Sequence, residues 1–180
     1  MTSILRHLPF HERADEMSVG FERIPVHPYQ IIVWVSLTAR SILELPPNAP
    51  RFPAILDTGH GHNFSIHEQH LTNWARLSHD QLVQRGKTIV NGQEVPLHRA
   101  RVWLHRNEPG KRDAIADQPP FLLDLPEGIA LHPGADFPRL PLLGLRALVR
   151  NRLHLNIDSD KRLVNLRTTD WRTKLLRLLT

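Results

Sequence analysis

The fold is decided by one stretch of the chain, Phe52-Pro53-Ala54-Ile55-Leu56-Asp57-Thr58-Gly59. A short apolar run of this kind is typical of a buried β-strand, and a small hydroxyl residue followed by glycine predicts a tight turn at its end. Asp57 is therefore expected where the strand leaves the core. The end of a buried strand fixes the position of its carboxylate. Asp-Thr-Gly by itself also fits an ordinary turn, so the surrounding sequence has to decide the interpretation.

Several further segments around this stretch have the pattern of short strands. Residues 60–66 follow it directly, and there Phe64 and Ile66 alternate with polar neighbours. A second apolar stretch, residues 140–148, contains Gly144 and continues into helix-favouring residues. Residues 153–158 and 163–166 alternate again on either side of a polar turn. Together with fifteen prolines, these runs favour an all-β architecture over a helical bundle.

This order of segments resembles the retropepsin-like aspartic peptidases, in particular the bacterial branch whose active-site loop reads Asp-Thr-Gly-Phe-Asn-Gly-x-Leu-x-Leu. The matching run here is residues 57–66. The later pattern of that family is Leu-Leu-Gly, a short helix and a strand ending in Ile-Asp, and it matches residues 142–158. The resemblance extends over residues 29–168 and implies an all-β acid-protease barrel with one or two short helices that acts as a twofold homodimer.

The chemistry of peptide hydrolysis explains why a homodimer is implied. Without a metal or a nucleophilic side chain, the reaction needs an acid and a base at the same time. Two carboxylates a few ångströms apart share one proton and supply both roles. Because the chain is about one domain long and contains a single Asp-Thr-Gly, the resemblance implies that Asp57 meets its own copy on a twofold axis.

The resemblance also implies roles for the neighbours of Asp57. Thr58 is expected to hydrogen-bond across the axis, and the backbone N–H of Gly59 is expected to reach the carboxylate. Gly144 is expected to let the second apolar stretch pass close behind the active loop. Asp57, Thr58 and Gly59 are therefore the predicted catalytic group of an aspartic endopeptidase, which takes a peptide or protein substrate and needs no cofactor.

A flap that closes over substrate is predicted between residues 86 and 105. Two apolar runs there flank Asn91-Gly92, a strong hairpin-turn dipeptide. An ordinary surface hairpin explains the same residues equally well. The predicted substrate-binding residues are His60, Asn91, Gly92 and Gly144.

Two features depart from the pattern of the family. His60 follows Gly59, where a small or apolar aromatic residue is usual, and it is expected to alter substrate access or acidity. The spacing between the two matching segments is also longer than in compact retropepsins, and residues 106–120 have a polar, turn-rich composition that predicts surface loops. The alternative function is therefore a catalytically inactive domain of the same fold that binds peptides or mediates assembly.

The composition excludes several kinds of site but does not indicate a reaction. The chain has no cysteine, which excludes disulfides, thiolate metal sites and a cysteine nucleophile. The longest strongly apolar run, residues 31–37, is too short to cross a bilayer, and the N-terminus lacks the apolar core of a signal peptide. A cytoplasmic protein without a membrane partner is expected.

The net charge of +5 is distributed unevenly along the chain. From residue 139 to the end there are ten cations and three acids. Such a patch can bind nucleic acid through phosphate contacts, but no nucleic-acid motif accompanies it and stacking aromatics are scarce there. A solvated basic face is the preferred interpretation, and a nucleic-acid partner is not expected.

The twelve histidines raise a metal hypothesis, because His60, His62, His67 and His70 lie within eleven positions. His67-Glu68-Gln69-His70 resembles a zinc-protease helix, but that motif places its histidines at i and i+4 rather than at i and i+3. A site built from one helix face and the preceding loop stays open as the weakest alternative, a metal-dependent hydrolase.

The domain organisation predicted from the sequence is simple. Residues 1–28 carry mixed charge with little apolar periodicity and are interpreted as an N-terminal arm or lead-in, followed by a single retropepsin-like domain over residues 29–180. Short helices are expected near residues 67–77 and 142–151. The apolar segment 171–179 is interpreted either as a contact of the dimer or as a helix packed on its own domain.

Overall fold

The computed structural model describes residues 2–90, 92–133 and 140–169. Strands make up about half of the chain, which confirms the expected all-β character. The first seven strands are β1 Ser3–Pro9, β2 Asp15–Val19, β3 Glu22–Val26, β4 Ile32–Ala39, β5 Phe52–Asp57, β6 Phe64–His67 and β7 Gln84–Val90. The others are β8 Gln93–His98, β9 Ala100–Leu104, β10 Phe121–Leu123, β11 Ile129–His132, β12 Leu142–Gly144, β13 Leu153–Asp158 and β14 Leu163–Thr168.

The helices are short, as the sequence predicted. Helix α1 spans Glu68–Asn73, and a 3₁₀ turn follows at His79–Gln81. Helix α2 spans Leu145–Arg150, directly after β12. Residues 142–144 were included in the second predicted helix but form a strand, because their backbone groups pair with strands on both sides. Within the described residues, no helix is long and apolar enough to cross a membrane.

The main sheet has nine strands in the order β10-β9-β4-β5-β12-β6-β11-β8-β7. The described strands do not close into the barrel that the resemblance implied. The two edge strands of the main sheet, β10 and β7, do not pair with each other. β10 has only three residues, and β7 is exposed along most of its length. The interior strand β4, between β9 and β5, is buried along nearly its whole length, so both of its faces are covered.

The described residues of the segment interpreted as an N-terminal arm or lead-in, residues 2–28, are part of the fold. Strands β2 and β3 form a two-stranded sheet, and β1 pairs antiparallel with β14 in a three-stranded sheet of order β1-β14-β13. Ile4, Leu5 and Leu8 are each only 1% exposed and belong to the main hydrophobic core. The prediction failed because β1 is irregular: its register shifts twice, and its residues therefore do not alternate in the sequence.

The two strands predicted at the C-terminal end are present. β13 and β14 pair without a register shift from Leu153 and Thr168 to Asp158 and Leu163. The long polar segment 106–120 forms no strand and carries a single bridge, between Asn107 and Ile115, as expected for a surface loop. The interpretations of the apolar segment 171–179 lie outside the described residues.

Candidate active site

Asp57 ends β5, and its register partner is Gly144 in β12. The carboxylate of Asp57 accepts a hydrogen bond of 2.8 Å from the backbone N–H of Gly59, so the contact expected for this glycine is present. The backbone N–H of His60 donates to the carbonyl of Asp57 over 3.2 Å and closes the turn. Asp57 is half-buried, whereas Thr58 and Gly59 are exposed. The loop therefore presents its carboxylate and its threonine at the molecular surface.

Strand β12 runs between the two strands that this loop connects. It pairs parallel with β5 and antiparallel with β6. At its end, the backbone N–H of Gly144 donates to the carbonyl of Asn63 over 3.0 Å, and that of Leu145 donates to the carbonyl of His60 over 3.0 Å. A Cβ on Gly144 would overlap the carbonyl oxygen of His62 and lie 2.6 Å from that of His60. The close passage predicted for Gly144 thus exists, and only glycine fits it.

Replacing Gly144 with alanine tests this packing. The added methyl group meets backbone rather than a flexible side chain, so we expect the free energy of unfolding to fall by about 1–3 kcal/mol. Gly61→Ala is the matched control, because a Cβ at Gly61 has no heavy atom within 4 Å. Urea unfolding of both variants provides the measurement. Equal stability of the two variants would contradict a tight crossing at Gly144.

His60 lies against the loop that carries Asp57. Its Nε2 is 2.7 Å from the hydroxyl of Ser65, which is fully buried. Burial lowers the pKa of His60, and the charge of His62 lowers it further, while Asp57 acts in the opposite direction. The imidazole is therefore neutral at neutral pH and is fixed to the scaffold, and its predicted role in binding substrate stays a prediction.

The predicted hairpin is formed by β7 and β8, which pair up to Val90 and Gln93. Gly92 has a φ of +79°, the conformation that favours glycine in such a turn, whereas Asn91 lies outside the described residues. Near the tip, the backbone of Ile89 lies close enough to the imidazole of His62 to raise its pKa, although burial and the charge of Arg146 lower that pKa overall. The hairpin thus reaches the loop that follows Asp57.

An ion pair connects this loop to helix α2. The carboxylate of Glu127 accepts hydrogen bonds from Arg146 over 2.8 Å and from the side-chain amide of Asn63 over 3.3 Å. The guanidinium of Arg146 is the main reason that the pKa of Glu127 is lowered. The sequence pattern does not indicate the contact between Asn63 and Glu127, because the two positions are 64 residues apart.

The other two histidines of the metal hypothesis have structural roles. Nδ1 of His67 accepts the backbone N–H of Gln69 over 3.0 Å and caps helix α1. His70 stacks on Trp74 with ring centroids 3.8 Å apart. Among the described residues, no three histidine or acidic side chains are arranged to hold a metal ion. The proposed zinc cluster is therefore not formed by these side chains.

His132 is a buried histidine near the loop that sequence reasoning missed. It lies opposite His67 in the parallel pairing of β11 with β6. Burial, followed by the charges of His60, His62 and His67, lowers its pKa to about 4. The sequence around His132 does not indicate this position, because its proximity to the loop arises from the pairing of β11 with β6, more than sixty residues earlier in the chain.

Buried histidines predict a loss of stability in acid. A histidine whose pKa is lowered by folding binds fewer protons in the folded protein than in the unfolded chain, so stability is full above the unfolded pKa and is lost as the pH falls. For His70, His105 and His132 this window runs from 6.5 to about 4. We expect the urea midpoint to decline steadily across it. A midpoint that stays constant across this window would contradict the burial of neutral imidazoles.

No protein-family model, curated protein or solved structure matches this chain.

Proposed function

We propose that this chain is an aspartic endopeptidase that acts as a twofold homodimer, with Asp57 of each subunit in the active site. The observation that carries the proposal is the position of Asp57. It stands at the end of β5, beside the inserted strand β12, with its carboxylate oriented by the N–H of Gly59. This arrangement is what the resemblance to retropepsin-like peptidases implies for a catalytic loop, and it supports a retropepsin-like fold for the domain.

The reaction requires two carboxylates that share one proton. The ionised carboxylate takes a proton from water, which attacks the peptide carbonyl carbon, while the protonated carboxylate donates its proton to the carbonyl oxygen. Collapse of the resulting intermediate breaks the C–N bond: the pair gives its proton to the amine nitrogen and takes one from a hydroxyl of the intermediate, which leaves as the carboxylic acid, so the shared proton is restored. Such a dyad titrates as a unit.

The second carboxylate comes from the second subunit in this proposal. Glu127, the acidic residue joined to the same loop through Asn63, is held by Arg146. Exposure of Thr58 and Gly59 leaves the loop accessible to an identical loop. A twofold axis through this surface would bring each residue opposite its own copy, which is the property of an isologous interface.

The hairpin of β7 and β8 is the flap in this proposal. The proximity of the Ile89 backbone to His62, in the loop that follows Asp57, supports this assignment. The side chain of Ile89 is 70% exposed although it is large and apolar, so it is available to cover an extended peptide.

Substitution of Asp57 tests the chemistry. We expect Asp57→Asn to lower the rate of cleavage of an unfolded protein substrate by about 10²- to 10⁴-fold, the usual contribution of a general acid or base. Asp160→Asn is the matched control, because Asp160 is exposed and lies in the turn between β13 and β14. Mass spectrometry of the products at several pH values provides the measurement. Full activity of the Asp57→Asn variant would exclude the mechanism.

Mixing the two proteins tests whether the site is shared. A mixed dimer has Asp57 in only one of its two subunits, so an excess of Asp57→Asn subunits should inhibit the wild-type enzyme. An excess of Asp160→Asn subunits should not. The specific activity should also rise with protein concentration as dimers form. An activity that is independent of concentration and of added Asp57→Asn would show that each subunit works alone.

Thr58 provides a separate test of the axis. If its hydroxyl bonds to the partner, Thr58→Ala removes two symmetric hydrogen bonds and should weaken dimerisation roughly tenfold. Thr72→Ala is the control, because Thr72 is also exposed but its hydroxyl donates within helix α1 to the carbonyl of Glu68. Sedimentation equilibrium gives both dissociation constants. Identical values would place Thr58 away from the interface.

A second function is favoured by one observation. His60 stands directly after Gly59 and is held by the buried hydroxyl of Ser65, so the loop carries a fixed imidazole beside Asp57 and suits a domain that holds a peptide without cleaving it. This domain would need no dyad. A protein that stays monomeric at high concentration and binds unfolded peptides without cleaving them would establish this alternative.

A further inference from the structure

A cavity of about 250 Å³ lies beside strands β9 and β10, at the base of the hairpin. Its wall includes the apolar side chains Leu122, Leu123 and Leu125. Four arginines line it as well, and they come from three separate segments of the chain. They are Arg40 after β4, Arg85 in β7, Arg99 between β8 and β9, and Arg101 in β9.

The positive charge of this cavity is not balanced by the described residues that line it. Asp124 is the one carboxylate among its lining residues, against four guanidinium groups. In the part of the chain that the structure describes, none of the four arginines forms an ion pair with a carboxylate, whereas Arg146 and Arg162 elsewhere do. Like charges that share a cavity repel one another, so the folded protein brings these four together at an electrostatic cost that a bound anion removes.

Two of the guanidinium groups are held in place by backbone carbonyls. Nε of Arg101 donates to the carbonyl of Arg40 over 3.0 Å, and Arg85 donates to the carbonyl of Pro126 on another wall. An arginine has five N–H donors, so each of these contacts leaves most donors for a ligand. Fixing a long side chain before binding reduces the entropy that a ligand must overcome.

We infer that this cavity binds a small phosphate-bearing ligand. A single carboxylate is saturated by one bidentate arginine, whereas a phosphate group has more acceptor oxygens and up to two charges and can engage several guanidinium groups at once. The volume is slightly below the range of about 300–1,000 Å³ that holds drug-sized ligands, which suits a phosphoryl group with few further atoms. The apolar wall favours a short organic group on the phosphate. This inference does not depend on the proposed peptidase activity.

Titration calorimetry on the full chain tests the site, with pyrophosphate, glycerol phosphate and inorganic phosphate as probes at constant ionic strength. Replacing Arg99 and Arg101 with glutamine should weaken pyrophosphate binding about tenfold or more, because charge-assisted hydrogen bonds are lost. The control is Arg23→Gln with Arg76→Gln, which makes the same change in net charge at exposed arginines outside the cavity. Circular dichroism checks that both double variants are folded, and Arg40→Gln provides an independent single change if the first does not fold.

The outcomes separate the inference from general attraction of anions to a basic protein. Saturable binding that is lost in the cavity variant and kept in the control supports it, and tighter binding of glycerol phosphate than of inorganic phosphate identifies an ester as the ligand. Equal weakening in both double variants, or absence of saturable binding, overturns it. Citrate is the competing carboxylate probe, and citrate binding more tightly than every phosphate probe would overturn the assignment to phosphate.

Discussion

The insertion of β12 between β5 and β6 is the constraint on which the rest of this structure depends. β5 and β6 are consecutive strands, separated only by the loop that follows Asp57. β12 lies between them and forms backbone hydrogen bonds with both. The absence of a side chain at Gly144 lets the strand approach the carbonyls of His60 and His62. The position of the carboxylate is thus set by main-chain geometry, which is more rigid than a contact between side chains.

The sequence was most informative where turn chemistry and alternation coincide. The strand before Asp57, the strand after it, the hairpin around Gly92 and the pair β13 and β14 each combine a short apolar or alternating run with adjacent turn residues, and all are present. Strand β1 has neither: Leu5 and Leu8 are both buried across a register shift, and His7 between them has a φ of +49°. A bulged strand loses its period of two, so pattern reading cannot find it.

The site was predicted less completely than the strands. Asp57, Gly59 and Gly144 could be found because each belongs to a local motif. The contacts of Glu127 and the burial of His132 could not, because both depend on which strands become neighbours over long separations. Burial also decides the charge near the loop, since the lowered pKa values of His60 and His132 leave both rings neutral in neutral solution.

The crossing at Gly144 also affects how freely the loop can evolve. Its closest contact at position 62 is made to a carbonyl oxygen, which every amino acid supplies. Mutation can therefore exchange the imidazole of His62 while this crossing stays intact, whereas a change of His60 would leave the buried hydroxyl of Ser65 without its partner. The most constrained position of this region is a residue without a side chain, and position 62 beside it is free to take on new chemistry.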